Sequence, residues 1–493
     1  MASIPAPDGR WRRDLALIVL PALAIFLYCL LDPTMFADGD SNWHIATGRW
    51  ILAHGAVPPT DPFSYTAVGR PWVTHEWLSE VLMALAWLAG GWSGVVVLTG
   101  ACAAAAVALM AAELRRSLRP FSVIVALGVS FGMLERHMLA RPHIITLPLL
   151  ALWTVQLLEA RRKDRAPPLW LLPLMLLWSN LHGSFIFGLA FTAFFALEAF
   201  LAAPADRRLD VATKWGAFGL AAGAFSLVTP NGVRGFFYPL YVMSMKNLQT
   251  ISEWQSVSFM KPTSLGLGAL LTLFICLYRG VRVPAVRLAL ALLLLYMSLQ
   301  HIRLEVVLAV VAPLLLAEPL GRALEPDRAM PLSSPWPPRR QLPAPLTAIA
   351  AVFLVLGVSR IAIPEVRRDG VTAPLTALAH VPPALRARPV FNDYGFGGWL
   401  IFEGVRPFMD GRSDMYGDDL IKVYVQVQSG DPVAVARAFS RYGVAWTILP
   451  PTTPLVARLD ATPGWRRLYA DKWAVVQVRS DALPPQAPAA ARP

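Results

Sequence analysis

Apolar runs of near membrane-crossing length recur along this chain, separated by short polar stretches. A hydrocarbon core about 30 Å thick takes roughly 20 apolar residues as one helix. The pattern therefore predicts helices near 14–33, 92–114, 120–138, 142–160, 168–182, 183–203, 213–229, 263–279, 284–300, 303–320 and 344–363, about eleven spans. Two stretches break the pattern. Segment 34–91 has little net hydrophobicity, and residues 365–484 alternate short apolar runs with turn residues. Within the tail, 389–391, 446–449 and 473–478 read as strands. Residues 431–442 read as a helix closed by Gly443, so the tail is a small α/β domain.

Arg10, Arg12 and Arg13 precede the first run. No small-residue cleavage site closes that run; Asp32-Pro33 leads instead into an acidic segment, which makes it a retained first membrane helix with its N-terminus inside. Hydrophobic residues make up 56% of the chain and charged ones only 15%, against about 25% charged in soluble domains. A cytosolic enzyme, a disordered chain and a secreted disulfide scaffold are excluded. Cys29, Cys102 and Cys276 lie in apolar runs and read as small buried hydrophobes. The net charge of +12 indicates membrane topology and no nucleic-acid partner, because cytoplasmic loops collect Lys and Arg. Threading the spans alternately puts 20 of the 28 Lys and Arg before residue 360 inside and 8 outside. It makes 331–345 a Pro-rich cytoplasmic linker and places 365–484 outside, with 485–493 a disordered tail.

The same threading puts all eight histidines, His44, His54, His75, His137, His143, His182, His301 and His380, in outer segments. Asp38, Asp40, Glu76, Arg136, Arg141, Asn180, Glu253 and Arg303 join them. Polar groups near a bilayer are costly unless they pair or line a cavity, so the polar ends of short runs such as Asn180–His182 point to a wet pocket. In the first outer loop, Trp43, Ile45, Trp50, Ile51 and Leu52 can line one face of a helix lying in the membrane interface. Residues 77–88 read as a second interfacial helix, in preference to a half-inserted helix or a twelfth span, and 231–262 as a third interface element or an ordinary amphipathic loop. Asp38-Gly39-Asp40 sets two carboxylates before the first of these, with His44 one turn on and His75-Glu76 at the far end of the loop. Such a set suits a general base. Asp38, Asp40 and His44 are also a candidate site for a divalent cation, magnesium or manganese. Plain loop chemistry is the alternative, with Asp as a helix cap.

The arrangement resembles the GT-C superfamily of membrane glycosyltransferases, which includes protein O-mannosyltransferases, the aminoarabinose transferase of lipid A and oligosaccharyltransferases. The strings DGDSNWHIATG, DPFSYT, WVTHEWLSE, ARPHI, WSNLHGSF, TPNG, ISEWQS, NDYGFGGWL and FMDGRSDMYG resemble a bacterial GT-C-like group. The resemblance implies an all-α polytopic membrane protein, with a transmembrane domain over 1–363 and a periplasmic α/β domain over 364–484. It also implies an inner-membrane location and transfer of a sugar from a polyprenyl-phosphate lipid to a glycan, lipid or protein acceptor. Asp40 or Asp38, with His75 and Glu76, would then serve catalysis. Arg136, Arg141, His182, His301 and Arg303 would hold the lipid phosphate, because guanidinium matches phosphate oxygens. In the tail, Asp393, Asp410, Arg412 and Asp414 are expected to form turns, or else to cap the cavity and contact the acceptor. A lipid or glycan transporter and an inactive GT-C-like scaffold of envelope assembly are the competing classes. No internal repeat favours the transporter.

Overall fold

The computed structural model describes residues 10–245, 252–324 and 343–482. The linker and terminal tail expected at 331–345 and 485–493 lie largely or wholly outside the described residues. All eleven apolar segments are helical. They are α1 (Arg10–Leu31), the later part of α3 (Trp77–Leu114), α4 (Pro120–Leu134), α5 (Pro142–Ile145) with α6 (Leu147–Arg162), α7 (Leu172–Leu181), α8 (Phe185–Ala202), α9 (Arg208–Ser226), α11 (Ser264–Tyr278), α12 (Ala285–Gln300), α13 (Glu305–Leu324) and α14 (Pro343–Ala362). Between these, α2 (Asp40–His54) and α10 (Gly232–Ser244) are shorter. Six of the described helices are long and apolar enough to cross a membrane. The chain is a multi-pass membrane protein.

The chain divides into two compact units. The first holds the described residues of Met1–Met35, Ala86–Pro239 and Gln249–Glu365; the second holds those of Phe36–Leu85, Leu240–Leu248 and Val366–Pro493. The early loop thus clusters with the C-terminal segment rather than with the helices that flank it in sequence.

In the first unit, Trp153 and Trp178 are fully buried. The Trp153 indole donates to the Gly188 carbonyl at 2.9 Å. Gly188 is required there, since a Cβ would come within 2.7 Å of Trp178. The basic helix ends that the sequence assigns to one side share acidic partners. Arg116 pairs with Glu159 at 3.1 Å, Arg162 with Glu113, and both Arg161 and Arg287 with Glu198. Those helix ends therefore lie together, as the alternating threading requires.

The second unit is built on a four-stranded sheet of β1 (Val390–Asn392), β2 (Trp446–Leu449), β3 (Trp465–Ala470) and β4 (Val475–Arg479), in the order β1-β2-β4-β3. Only the β1–β2 pair is parallel. The helices α15 (Leu375–Ala379), α16 (Pro383–Arg386), α17 (Gly397–Phe402), α18 (Ser413–Gln428), α19 (Pro432–Tyr442) and α20 (Pro454–Asp460) complete it. Asp431 caps α19 by accepting from the Ala434 N–H at 2.7 Å, and Gly443 ends it at φ +64°. The core joins Trp43 and Trp72 of the early loop to Phe391, Phe408, Tyr416, Tyr424 and Phe439.

One expectation changes. The helix at 40–54 has no single apolar face: Ser41 through Gly48 are all buried, with only Arg49, Leu52, Ala53 and His54 exposed along its length. It is a packed core helix, because Gly48 lets it close on the backbone at Glu80, where a Cβ would lie 1.9 Å from the carbonyl oxygen. Residues 77–88 do form a helix of their own, since the non-helical Gly90 and Gly91 (φ 58°) separate them from the span that makes up the later part of α3.

Candidate functional site

The nine sequence strings sort into two clusters, one in each unit. In the second unit, the Asp38-Gly39-Asp40 turn is fixed by backbone contacts that only glycine allows. A Cβ on Gly39 would meet the Gly395 carbonyl at 2.4 Å, and one on Gly398 the Gly39 carbonyl at 2.1 Å. Asp38 Oδ1 accepts the Asp40 N–H at 2.8 Å. Asp40 Oδ1 accepts the Trp43 indole N–H at 2.9 Å, which orients the carboxylate. Gly411 packs so closely on this oxygen that a Cβ would lie 1.8 Å away.

His44, buried to 1% exposure, turns from Asp40 toward two glutamates. Its Nδ1 lies 3.3 Å from Glu80 and its Nε2 3.7 Å from Glu76. Glu76 also meets His75 Nε2 at 3.5 Å. Asp414 joins this group electrostatically. Burial pushes its carboxyl up to about 6; His75 holds it down and Glu76 adds to the rise. Burial alone would lower the His75 pKa, but the Glu76 and Asp414 carboxylates outweigh it, and the net shift is upward. His75, Glu76 and Asp414 are thus brought together as one electrostatically coupled group of proton-carrying side chains. The cation site expected at Asp38, Asp40 and His44 is not assembled, since each side chain is drawn to a different partner. Among the described residues no three His, Cys, Asp or Glu are placed to hold a metal ion.

The tail residues expected to form turns or to cap the cavity take two kinds of place. Arg412 and Asp410 are 1% and 0% exposed. The guanidinium makes two 2.7 Å bonds to Asp410 and a third to Asp61, and it stacks over Trp72 with 4.7 Å to the ring centre. Burial alone would lower its pKa, but Asp410 holds it well above the usual value. Buried and saturated by each other, Arg412 and Asp410 tie the early loop to the C-terminal segment rather than meeting an acceptor. Asp393 is a turn cap, accepting from the Gly395 N–H at 2.9 Å and from Gln428 at 3.0 Å.

In the first unit, two of the expected phosphate-binding residues, Arg141 and Arg303, converge. Arg141 and Arg303 donate to opposite oxygens of Glu253, at 2.8 and 2.7 Å. Burial would raise the Glu253 pKa, but the two guanidiniums pull it down to about 2. Arg303 also lies over Trp254, 5.4 Å from the ring centre, and His301 Nδ1 donates to the Trp254 carbonyl at 2.9 Å. Arg136 pairs with the fully buried Glu305, with His137 at 3.4 Å from the same oxygen. The rings of His143 and His182 are 6.5 Å apart, and His182 Nδ1 accepts the Ser184 N–H.

Sequence reasoning gave no site role to Glu80, Glu305, Asp61 or Tyr416, and named Glu253 only as a polar residue. For two of the acids the signal is their place in the strings: Glu80 closes WVTHEWLSE, and Asp61 opens DPFSYT.

The fold is similar to that of known membrane proteins. Among solved structures the chain is similar to the oligosaccharyltransferase of Archaeoglobus fulgidus. To the apo form the TM-score is 0.56 at 12% identity, covering 90% of this chain and 70% of that one. To the form tethered to an acceptor peptide containing the NVT sequon it is 0.53 at 14% identity, covering 89% and 69%. A lower similarity, TM-score 0.39 at 17% identity over 96% and 99% of the two chains, relates it to ArnT from Cupriavidus metallidurans. No protein-family model and no curated protein sequence matches the chain.

Proposed function

We propose that the chain is a membrane glycosyltransferase that moves a sugar from a polyprenyl-phosphate donor to a glycan, lipid or protein acceptor of the cell envelope. The observation that carries this reading is the convergence of Arg141 and Arg303 on one point, now taken by the Glu253 carboxylate. Two preorganised guanidiniums aimed at an anion are what a departing lipid phosphate needs. The GT-C-like fold supports the reading, since a protein of similar fold is an oligosaccharyltransferase.

In the proposed reaction an acceptor heteroatom attacks the anomeric carbon and the bond to the phosphate oxygen breaks. Its electron pair leaves on the lipid phosphate. Within the second unit, Asp40, oriented by the Trp43 indole and by the Asp38 turn, is the candidate general base, with His75, Glu76 and Asp414 as candidate proton carriers. Within the first unit, Arg136, His182 and His301 support the Arg141–Arg303 phosphate site.

The 20-to-8 basic bias further supports an inner-membrane orientation with the N-terminus cytoplasmic and residues 365–484 periplasmic.

The test is binding of undecaprenyl phosphate to the purified chain. Arg303→Ala should weaken it at least tenfold, about 1.4 kcal/mol, as expected for losing one charge-assisted contact. Binding equal to wild type would refute the phosphate site.

A further inference from the structure

The anion point of the first unit is filled by the protein's own carboxylate. Glu253 Oε2 accepts from Arg141 Nη1 at 2.8 Å, and Oε1 accepts from Arg303 Nη1 at 2.7 Å. A lipid phosphate that reaches the same two donors must displace this carboxylate. The backbone beyond Glu253 is pinned. The Ile302 N–H donates to the Gln255 carbonyl at 3.1 Å, and the Val257 N–H donates to the Leu299 carbonyl at 3.0 Å. The Glu253 side chain has more room. It is 27% exposed, so a displaced carboxylate can rotate into water while the backbone stays in place. The Arg141 side chain is only 9% exposed. A buried guanidinium stripped of its anion is costly, so whatever leaves this point must be replaced. Arg303 is supported independently of Glu253, since its guanidinium lies over the Trp254 ring.

The two lipids of the proposed reaction differ in charge. The phosphate of the donor is a diester with one negative charge. The departing lipid phosphate is a monoester, whose second pKa of about 6 gives it nearly two negative charges at neutral pH. Two guanidiniums alone would hold this product more tightly than the donor, and turnover would stall on its release.

We propose that Glu253 is a built-in competitor for the lipid phosphate: its carboxylate yields Arg141 and Arg303 to the incoming donor and returns to them to expel the product. Release then exchanges one anion for another and leaves neither arginine bare. This role presupposes that the Arg141–Arg303 pair is the phosphate site.

The test is equilibrium binding and dissociation of radiolabelled undecaprenyl phosphate on the detergent-solubilised full chain, with undecaprenol as the uncharged control. Glu253→Gln keeps the shape of the side chain and removes its charge. It should tighten undecaprenyl phosphate about tenfold, mainly through slower dissociation, and leave undecaprenol unchanged. Arg303→Ala in the Gln background should remove most of that gain. Glu253→Asp keeps the charge on a side chain too short to span both arginines well. It should tighten binding by a smaller factor, which reads the same competition if the Gln variant fails to fold. Equal or weaker binding by either Glu253 variant, with Arg303→Ala still weakening it, would overturn the competitor and leave the phosphate site standing. Tighter binding with an unchanged dissociation rate would overturn the expulsion step, and equal tightening of undecaprenol would trace the gain to the chain of the lipid instead of its phosphate. Arg303→Ala without effect in either background would overturn the phosphate site, and the competitor with it.

Discussion

Asp414→Asn should stabilise the protein more at neutral pH than in acid. The Asp414 carboxyl is pushed from an ordinary value of 3.8 to about 6. The folded state therefore holds its proton over a pH range where the unfolded chain has lost it. A raised acid pKa costs nothing below the unfolded value, and the cost grows as pH rises through the folded value. The full shift of about two pH units corresponds to about 3 kcal/mol. Between about pH 4.5 and about pH 7.5 the wild type should lose about 2 kcal/mol relative to the Asn variant, which carries no titrating group there. If the second unit melts on its own, that is a Tm gap widening by about 4–8 °C. Differential scanning fluorimetry in detergent across that range reads it directly. His75 lowers the Asp414 pKa, so His75→Gln should move the same transition to higher pH. A gap that stays constant with pH, or narrows toward neutrality, would show that Asp414 is not held protonated by its surroundings.

Two further outcomes follow from the packing and the charge pattern. Gly411→Ala would place a methyl 1.8 Å from Asp40 Oδ1. Overpacking of this kind costs about 1–3 kcal/mol, so a lowered Tm with loss of transferase activity is expected, and wild-type values for both would contradict the close approach. A reporter active only in the cytoplasm, fused after Arg367, should be silent, and activity there would reverse the proposed orientation.

The helices were legible because a bilayer-length apolar run has few other readings. Most of the second unit's sheet was legible too, since 389–391, 446–449 and 473–478 are short apolar runs between turn residues. β3 was missed because Trp465–Ala470 is a half-exposed strand that pairs with β4 alone. The individual site residues were visible as polar groups at the ends of apolar strings, but their partners were not. Arg412 and Asp61 are 351 positions apart in the chain, and Arg136 and Glu305 are 169 apart. Nothing local distinguishes an arginine that will be consumed by a buried aspartate from one that will meet a ligand. His44 shows the same limit: spacing pairs it with Asp40 one turn away, yet packing at Gly48 turns it to Glu76 and Glu80.

The central claim is tested most directly by transfer of sugar from a radiolabelled polyprenyl-phosphate donor in membranes carrying wild-type or Asp40→Asn protein. The amide keeps the shape of the side chain and removes the base, so transfer should fall about a hundredfold or more with expression unchanged. Wild-type-like transfer by Asp40→Asn would contradict the assignment of the base. Absence of transfer by the wild type with every polyprenyl-phosphate sugar supplied would contradict the transferase reading itself.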